Sequence, residues 1–143
     1  MSATMLLEFD VILDAPAARV FAAVTEGRHL TQWFCDACES EPHRGGRLVL
    51  RWTKPGASAE EFIAVWQRIE PRITASFQGG HAGYPDGNAG EIEFALIPAA
   101  DRTHLWVRHR MPDTPPYIPI ADRYRAAWPR ALARLHQYLT PTT

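Results

Sequence analysis

The sequence predicts an α+β fold in which a curved antiparallel sheet wraps around one long C-terminal helix. Six or seven strand-like runs fill most of the chain, and a long amphipathic segment follows them. A lone helix with an apolar stripe must bury it, and the sheet is the only large partner the sequence offers. We expect a cavity between the two. The stripe consists of residues three and four positions apart: Tyr124, Trp128, Leu132, Leu135 and Leu139.

Two short helices are predicted directly after the first strand. The strand, Thr4 to Leu13, has alternating apolar residues along one face. Asp14 is expected to cap the first helix, and Gly27 to end it. The apolar residues of His29 to Phe34 predict the second helix.

The rest of the sheet is predicted from the middle of the chain. Gly79 to Gly90 contains five glycines and Pro85, so we expect a loop there. The alternation on both sides of a turn at Pro98 to Arg102 predicts a hairpin. The remaining strands are predicted at Arg47 to Trp52, at Glu60 to Glu70, and around Ile73, Ala75 and Phe77.

Prolines shape the expected C-terminal region. Pro112 to Pro119 carries four prolines and is predicted to be extended, since proline cannot donate a backbone hydrogen bond. Asp122 is expected to cap the long helix that follows. Pro129 lies inside that helix and predicts a kink.

Composition narrows the class of protein. A chain of 143 residues fits a single domain, residues 1–143. The net charge of −1, from 15 basic and 16 acidic residues, gives no field that would hold nucleic acid or an anionic membrane. We see no secretory signal and no membrane-spanning run, and with two cysteines we expect a cytoplasmic location.

Several motifs follow one another in an order that resembles a known superfamily. Each motif alone has low specificity, but together they cover nearly the whole chain. In chain order they are Asp14 to Thr25, His29 to Phe34, Arg44-Gly45-Gly46, Ile69-Glu70-Pro71, Thr103 to His109, and Ala127-Trp128 before several leucines. With its motifs in this order, the chain resembles the SRPBCC or START-like superfamily, in the branch of the activator of the heat-shock-protein ATPase.

The resemblance implies a helix-grip fold with a deep, mostly apolar cavity between the sheet and the C-terminal helix. Members of the superfamily include carriers of hydrophobic ligands, aromatases or cyclases, and co-chaperone-like domains. Because the superfamily has no universal catalytic set, the resemblance implies neither a catalytic residue nor a cofactor.

His109 is the first candidate for a polar group in the cavity. By alternation it shares a face with Leu105 and Val107, which should be the helix-facing side. The resemblance adds that the matching position is often histidine. A buried imidazole could orient a ligand or act as an acid or base. The alternative is a core histidine satisfied by a neighbouring group.

Aromatic side chains form the second group of candidates, since ring faces suit flat apolar ligands. Simple filling of the core is the alternative for each of them. The residues predicted to bind a ligand are Trp33, Phe34, Trp52, Trp66, Phe77, Phe94, His109, Tyr124 and Trp128.

Cys35 and Cys38 form a CxxC pair after the second helix, with His29 and His43 nearby in sequence. Such residues could hold zinc or form a redox pair. A structural zinc site normally presents two tight pairs, and a thioredoxin-like site needs a parallel βαβ setting that this chain lacks. We therefore expect two loop thiols and no metal.

The leading hypothesis is a binder of a small hydrophobic or aromatic molecule. One alternative is a cyclase- or hydrolase-like enzyme that uses His109 as its acid or base. Another is a protein-interaction domain that acts through its surface. Trp106 is predicted on the outer face of the hairpin among charged residues, where it could mark a homodimer contact or be no more than a covered surface ring.

Overall fold

The computed structural model describes residues 3–52, 60–80 and 84–140. Short 3-10 turns at Pro85–Gly87 and Pro115–Tyr117 precede the sixth strand and the last helix. The elements are β1 (Thr4–Leu13), α1 (Ala17–Thr25), α2 (Gly27–Trp33), β2 (Ala37–Ser40), β3 (Arg47–Trp52), β4 (Glu60–Glu70), β5 (Thr74–Gly80), β6 (Asn88–Ala99), β7 (Arg102–Pro112) and α3 (Ile118–Leu139).

The seven strands found in the described residues form one antiparallel sheet in the order β1-β7-β6-β5-β4-β3-β2. The first strand therefore lies beside the last, with Thr4 opposite Pro112 and Leu13 opposite Thr103. The register shifts after Trp66 in β4 and again near the end of β5. Such bulges bend a strand and increase its twist, which favours a curved sheet.

The long helix α3 buries the stripe that the sequence predicts. Trp128, Leu132, Leu135 and Leu139 are buried, and Tyr124 is half-buried. The helix-grip α+β fold is thus confirmed. None of the helices in the described ranges is long and apolar enough to span a bilayer.

The start of α3 differs from the prediction. The helix begins at Ile118, so Asp122 lies inside its first turns and does not cap it. The proline-rich segment before it is not extended throughout, because it contains the 3-10 turn. Pro119 fits an early helical position, where its missing N–H would have no helical partner. The kink at Pro129 stays a prediction.

The predicted caps of the N-terminal helices are also wrong. Pro16 is the N-cap of α1, and no side chain caps it. Asp14 instead lies 3.8 Å from Arg102. Helix α1 ends at Thr25, and Gly27 begins α2 rather than ending α1.

Both ends of the glycine-rich segment belong to strands. Gly79 and Gly80 complete β5, and Asn88 to Gly90 begin β6, so the predicted loop is too long at both ends. Its centre, residues 81–83, lies outside the described residues. The sequence analysis did not predict strand β2. Cys38 lies in this strand rather than in the expected loop. Ile73 lies in the turn before β5 and is exposed.

Candidate functional site

A pocket of about 580 Å³, partly open to solvent, lies between α2, α3 and the concave face of the sheet. Its volume falls within the range of roughly 300–1,000 Å³ that is usual for small-molecule sites. The described residues that line it include Trp33, Phe34, Cys35, Leu50, Trp52, Phe62, Tyr84, Ile92, Arg123, Tyr124, Ala127, Trp128, Ala131 and Arg134.

The sequence-predicted candidates fall into two groups. Trp33, Phe34, Trp52, Tyr124 and Trp128 line the pocket together. The other candidates are buried in the core behind it and do not line it; they are Trp66, Phe77, Phe94 and His109. A ligand-binding role stays a prediction for all of these residues.

Hydrogen bonds hold the tryptophans of the pocket wall in place. The indole N–H of Trp33 donates to the carbonyl oxygen of Ala23 at 2.9 Å. That of Trp52 donates to the carbonyl oxygen of Phe34 at 2.8 Å. Because each bond ties a ring to the backbone of another segment, the wall is shaped before a ligand arrives.

Phe34 connects the two sides of the pocket. Its ring stacks on Trp128 of α3, with a centroid distance of 5.5 Å and an interplanar angle of 22°. It meets Trp52 of β3 edge to face, at 5.6 Å and 77°. Such pairs contribute beyond the area that they bury. The segment after α2 is thereby held against both α3 and the sheet.

His109 lies directly behind this wall. Trp128 donates its indole N–H to His109 Nδ1 at 3.2 Å, and His109 Nε2 lies 3.1 Å from the carbonyl oxygen of Ala89. A carbonyl only accepts hydrogen bonds, so Nε2 carries the proton and Nδ1 is the acceptor. The imidazole ring also meets Tyr124 edge to face, with centroids 4.3 Å apart.

Burial keeps the His109 imidazole neutral. Removal from solvent lowers the pKa of His109 from 6.5 to about 4, although the hydrogen bond with Ala89 acts in the opposite direction. With both ring nitrogens engaged, this histidine holds Trp128 and Tyr124 in place. No ring nitrogen is left to exchange a proton with a ligand.

Two tyrosines stand together in the wall. The hydroxyl oxygens of Tyr84 and Tyr124 are 2.6 Å apart, which is a short hydrogen bond. Tyr84 lies just before β6, whereas Tyr124 projects from α3. The pair therefore ties the chain near the glycine-rich segment to the long helix.

Phe62 is a wall residue that the sequence analysis did not single out. Its ring lies over Gly79 of the neighbouring strand, where an added Cβ would fall 2.1 Å from the ring. Gly79 thus leaves the space that Phe62 occupies. Gly79 is opposite Ala64, so Phe62 is its diagonal neighbour, and this pairing is a usable signal only once the strand register is known.

The pocket wall carries more positive than negative charge. Arg123 and Arg134 project from α3, and Asp36 follows α2. The Arg134 guanidinium donates to the carbonyl oxygen of Trp33 at 2.9 Å. For Arg123, neither an ion pair nor a side-chain hydrogen bond is found within the described parts of the chain.

In the part of the chain that the structure describes, the CxxC pair has no set of metal ligands around it. Among the described residues, no three His, Cys, Asp or Glu side chains converge on one point. His29 is hydrogen-bonded to Tyr138, with Nδ1 2.7 Å from the hydroxyl oxygen. His43 lies 3.2 Å from the carbonyl oxygen of Arg44. The zinc alternative therefore lacks a ligand set in this region.

The sheet, the gripped helix and the pocket between them define a helix-grip protein of the SRPBCC superfamily. Residues 14–140 match the family described as Activator of Hsp90 ATPase homolog 1-like protein. Since this match spans most of the chain, the protein belongs to that family. Among curated proteins, none matches this chain.

Solved structures share the fold. The Aha1 dimer from Colwellia psychrerythraea is 19% identical, with a TM-score of 0.73, over 94% of this chain and 96% of that one. CalU16 from Micromonospora echinospora is 21% identical, with a TM-score of 0.71, over 98% and 78%. DynU16, from the dynemicin biosynthetic locus, is 25% identical, with a TM-score of 0.77. That match covers 94% of this chain but only 46% of DynU16.

Proposed function

We propose that this protein binds a small aromatic or otherwise hydrophobic molecule in the pocket between α2, α3 and the sheet. The observation that carries the proposal is the space of about 580 Å³ bordered by Trp33, Phe34, Trp52 and Trp128. These rings are held by hydrogen bonds or by ring contacts, so binding would not have to order them first.

Apolar burial alone is sufficient for useful affinity. A ligand that buries roughly 400 Å² of apolar surface would gain about 10 kcal/mol. Association costs several kcal/mol in lost translational and rotational freedom. With a cost of about 4 kcal/mol, the remainder of about 6 kcal/mol corresponds to a dissociation constant of tens of micromolar, which suits a carrier or a sensor.

The geometry favours binding over catalysis by His109. A general acid or base must reach the proton that it transfers. His109 does not line the pocket, and both of its nitrogens are used by Trp128 and Ala89. The enzymatic alternative would therefore need another residue as its acid or base.

Charge at the pocket favours a ligand with a negatively charged group. Arg123 and Arg134 outnumber Asp36 in the wall. Arg134 already donates to the backbone of Trp33, whereas Arg123 has no such bond within the described residues. A guanidinium is well suited to a carboxylate, sulfonate or phosphate.

Three broader expectations accompany this proposal. We propose a single domain over residues 1–143, a cytoplasmic location, and homodimer formation as an alternative to a monomer. The family match over residues 14–140 supports the single domain, and the likeness to the Aha1 dimer is consistent with a homodimer. Trp106 is half-buried beside His104, with ring centroids 4.8 Å apart, so it offers only part of its surface to a partner.

Filling the pocket from α3 tests the binding proposal. Ala127 lines the pocket and is itself exposed, so Ala127→Trp places an indole at the opening without disturbing the core. With anilinonaphthalene sulfonate as the probe, we expect at least about tenfold weaker binding by fluorescence titration, since a steric block removes apolar contact.

The matched control is Ala126→Trp, because Ala126 is also exposed on α3 but is absent from the pocket wall. It should bind the probe as the wild type does. Equal affinity in both variants would place the probe elsewhere and would contradict the proposal.

The charge preference has its own test. Arg123→Gln should weaken binding of anilinonaphthalene sulfonate about three- to tenfold, because one charge-assisted hydrogen bond is lost. Binding of N-phenylnaphthylamine, which has the same rings and no sulfonate, should stay unchanged. Arg130→Gln is the control, since Arg130 is exposed on the same helix outside the pocket. A similar loss for both probes would argue against an anion contact.

A further inference from the structure

The floor of the pocket is built around a phenylalanine that covers a glycine. The buried strand residues that line the pocket form this floor on the sheet side; they are Leu50, Phe62 and Ile92. Phe62 of β4 lies opposite Leu50 of β3 and is 3% exposed. On the next strand, β5, Gly79 has no side chain, and the ring of Phe62 occupies the space above it.

Further aromatic side chains lie beyond Phe62, in the core. The Phe62 ring meets Phe77 edge to face, with a centroid distance of 5.9 Å and an interplanar angle of 89°. Phe77 meets Trp66 in the same way, at 5.3 Å and 83°. Phe77 and Trp66 are fully buried and do not line the pocket. The ring of Phe62 therefore separates the empty space from Phe77.

Gly79 determines how far the Phe62 ring reaches into the pocket. A Cβ added at Gly79 would lie within 2.8 Å of the ring atoms Cδ1, Cε1 and Cζ, which is too close for the ring to stay in place. Gly79 does not have a positive φ, so its backbone conformation accepts alanine. An added methyl group would therefore displace the ring, and the empty space beside the ring is the pocket. Glycine at this position keeps the floor low.

We propose that Phe62 and Gly79 together set the depth of the pocket, so that the protein selects its hydrophobic ligand by length. This inference rests on the proposed function and adds the shape of the ligand to it. The three floor residues are apolar, whereas Arg123 lies on the helix side of the pocket. The ligand class is therefore a rigid apolar molecule with an anionic group at one end, whose other end meets the Phe62 ring.

Two rigid aromatic acids that differ by one ring test the role of Phe62. Biphenyl-4-carboxylate and terphenyl-4-carboxylate are titrated as competitors of bound anilinonaphthalene sulfonate. Phe62→Ala should raise the affinity for the three-ring acid relative to the two-ring acid at least about tenfold, because an apolar space left by a ring can take up another ring. Phe62→Leu leaves a smaller gap in the core and should shift the ratio in the same direction at least about threefold, so it serves if the alanine variant does not fold.

Replacing Gly79 should have the opposite effect. Gly79→Ala should lower the affinity for the three-ring acid relative to the two-ring acid at least about threefold, because the displaced ring shortens the pocket. The double variant Phe62→Ala/Gly79→Ala should match Phe62→Ala within about twofold, since no ring remains to be displaced. Gly27→Ala is the control for an added methyl group: Gly27 does not line this pocket, and the nearest atom to a Cβ added there is 3.5 Å away.

The outcomes separate this inference from the binding proposal. An unchanged ratio of the two affinities in the Phe62 variants, or in Gly79→Ala, would overturn the length selection and leave the binding proposal intact. A loss in Gly79→Ala that persists in the double variant would also overturn it, because that loss would not act through Phe62. If the wild type binds neither anilinonaphthalene sulfonate nor the two acids, the proposed function fails, and the length selection fails with it.

Discussion

Replacing Trp128 with alanine is expected to lower the free energy of unfolding by about 3–5 kcal/mol, as for other large buried aromatic residues. Trp128 is 2% exposed and stacks on Phe34. It also donates to His109, which would be left with a buried acceptor and no partner. Denaturant unfolding followed by circular dichroism would measure the loss.

Two further variants separate the contributions to this loss. Trp128→Phe keeps an aromatic ring but removes the N–H, so we expect a loss of about 1–3 kcal/mol from the unpaired nitrogen of His109. Trp106→Ala is the control for loss of a tryptophan, because Trp106 is only half-buried on the outer face. If Trp128→Ala were no more destabilising than Trp106→Ala, the conclusion that Trp128 is central to the packing around Phe34 and His109 would be wrong.

Mild acid is expected to destabilise the fold through His109. Its pKa is about 4 in the folded protein and 6.5 when unperturbed. Between these values the unfolded chain binds a proton at this site and the folded protein does not. The stabilising contribution is therefore complete above pH 6.5 and is lost as the pH falls toward 4. The difference between the two pKa values corresponds to about 3 kcal/mol in the free energy of unfolding.

His109→Gln isolates this effect, because glutamine carries a donor and an acceptor but does not titrate in this range. Its free energy of unfolding should fall less than that of the wild type between pH 6.5 and 4, whatever its starting stability. His136→Gln is the control, since His136 is exposed on α3 and should keep the wild-type slope. An unchanged slope in His109→Gln would assign the acid sensitivity to other groups.

The fold was predictable where the pattern along the chain is local and regular. The stripe from Tyr124 to Leu139 and the alternation in β6 and β7 each repeat with a fixed period. Strand β2 was missed because Ala37–Ser40 is too short to show a period. The strand forms because its backbone pairs with that of β3, and this pairing leaves no pattern in the sequence of β2.

The pocket was predictable only in part. Phe34 and Trp52 could be identified as aromatic candidates, and both border the open space. Trp66 looked equally suitable but is sealed in the core, because alternation gives the face of a strand and not the depth of the residue. Phe62 was missed because its place depends on Gly79 in the neighbouring strand.

By itself, the sequence determined the order of the elements other than β2, the faces that they bury and the class of fold, since these follow from periodicity and chain length. Tertiary structure alone decided which rings border empty space and that the nitrogens of His109 are both engaged. The reason is that a cavity or a shared proton depends on the relative positions of several side chains, often from distant segments, which no local pattern encodes.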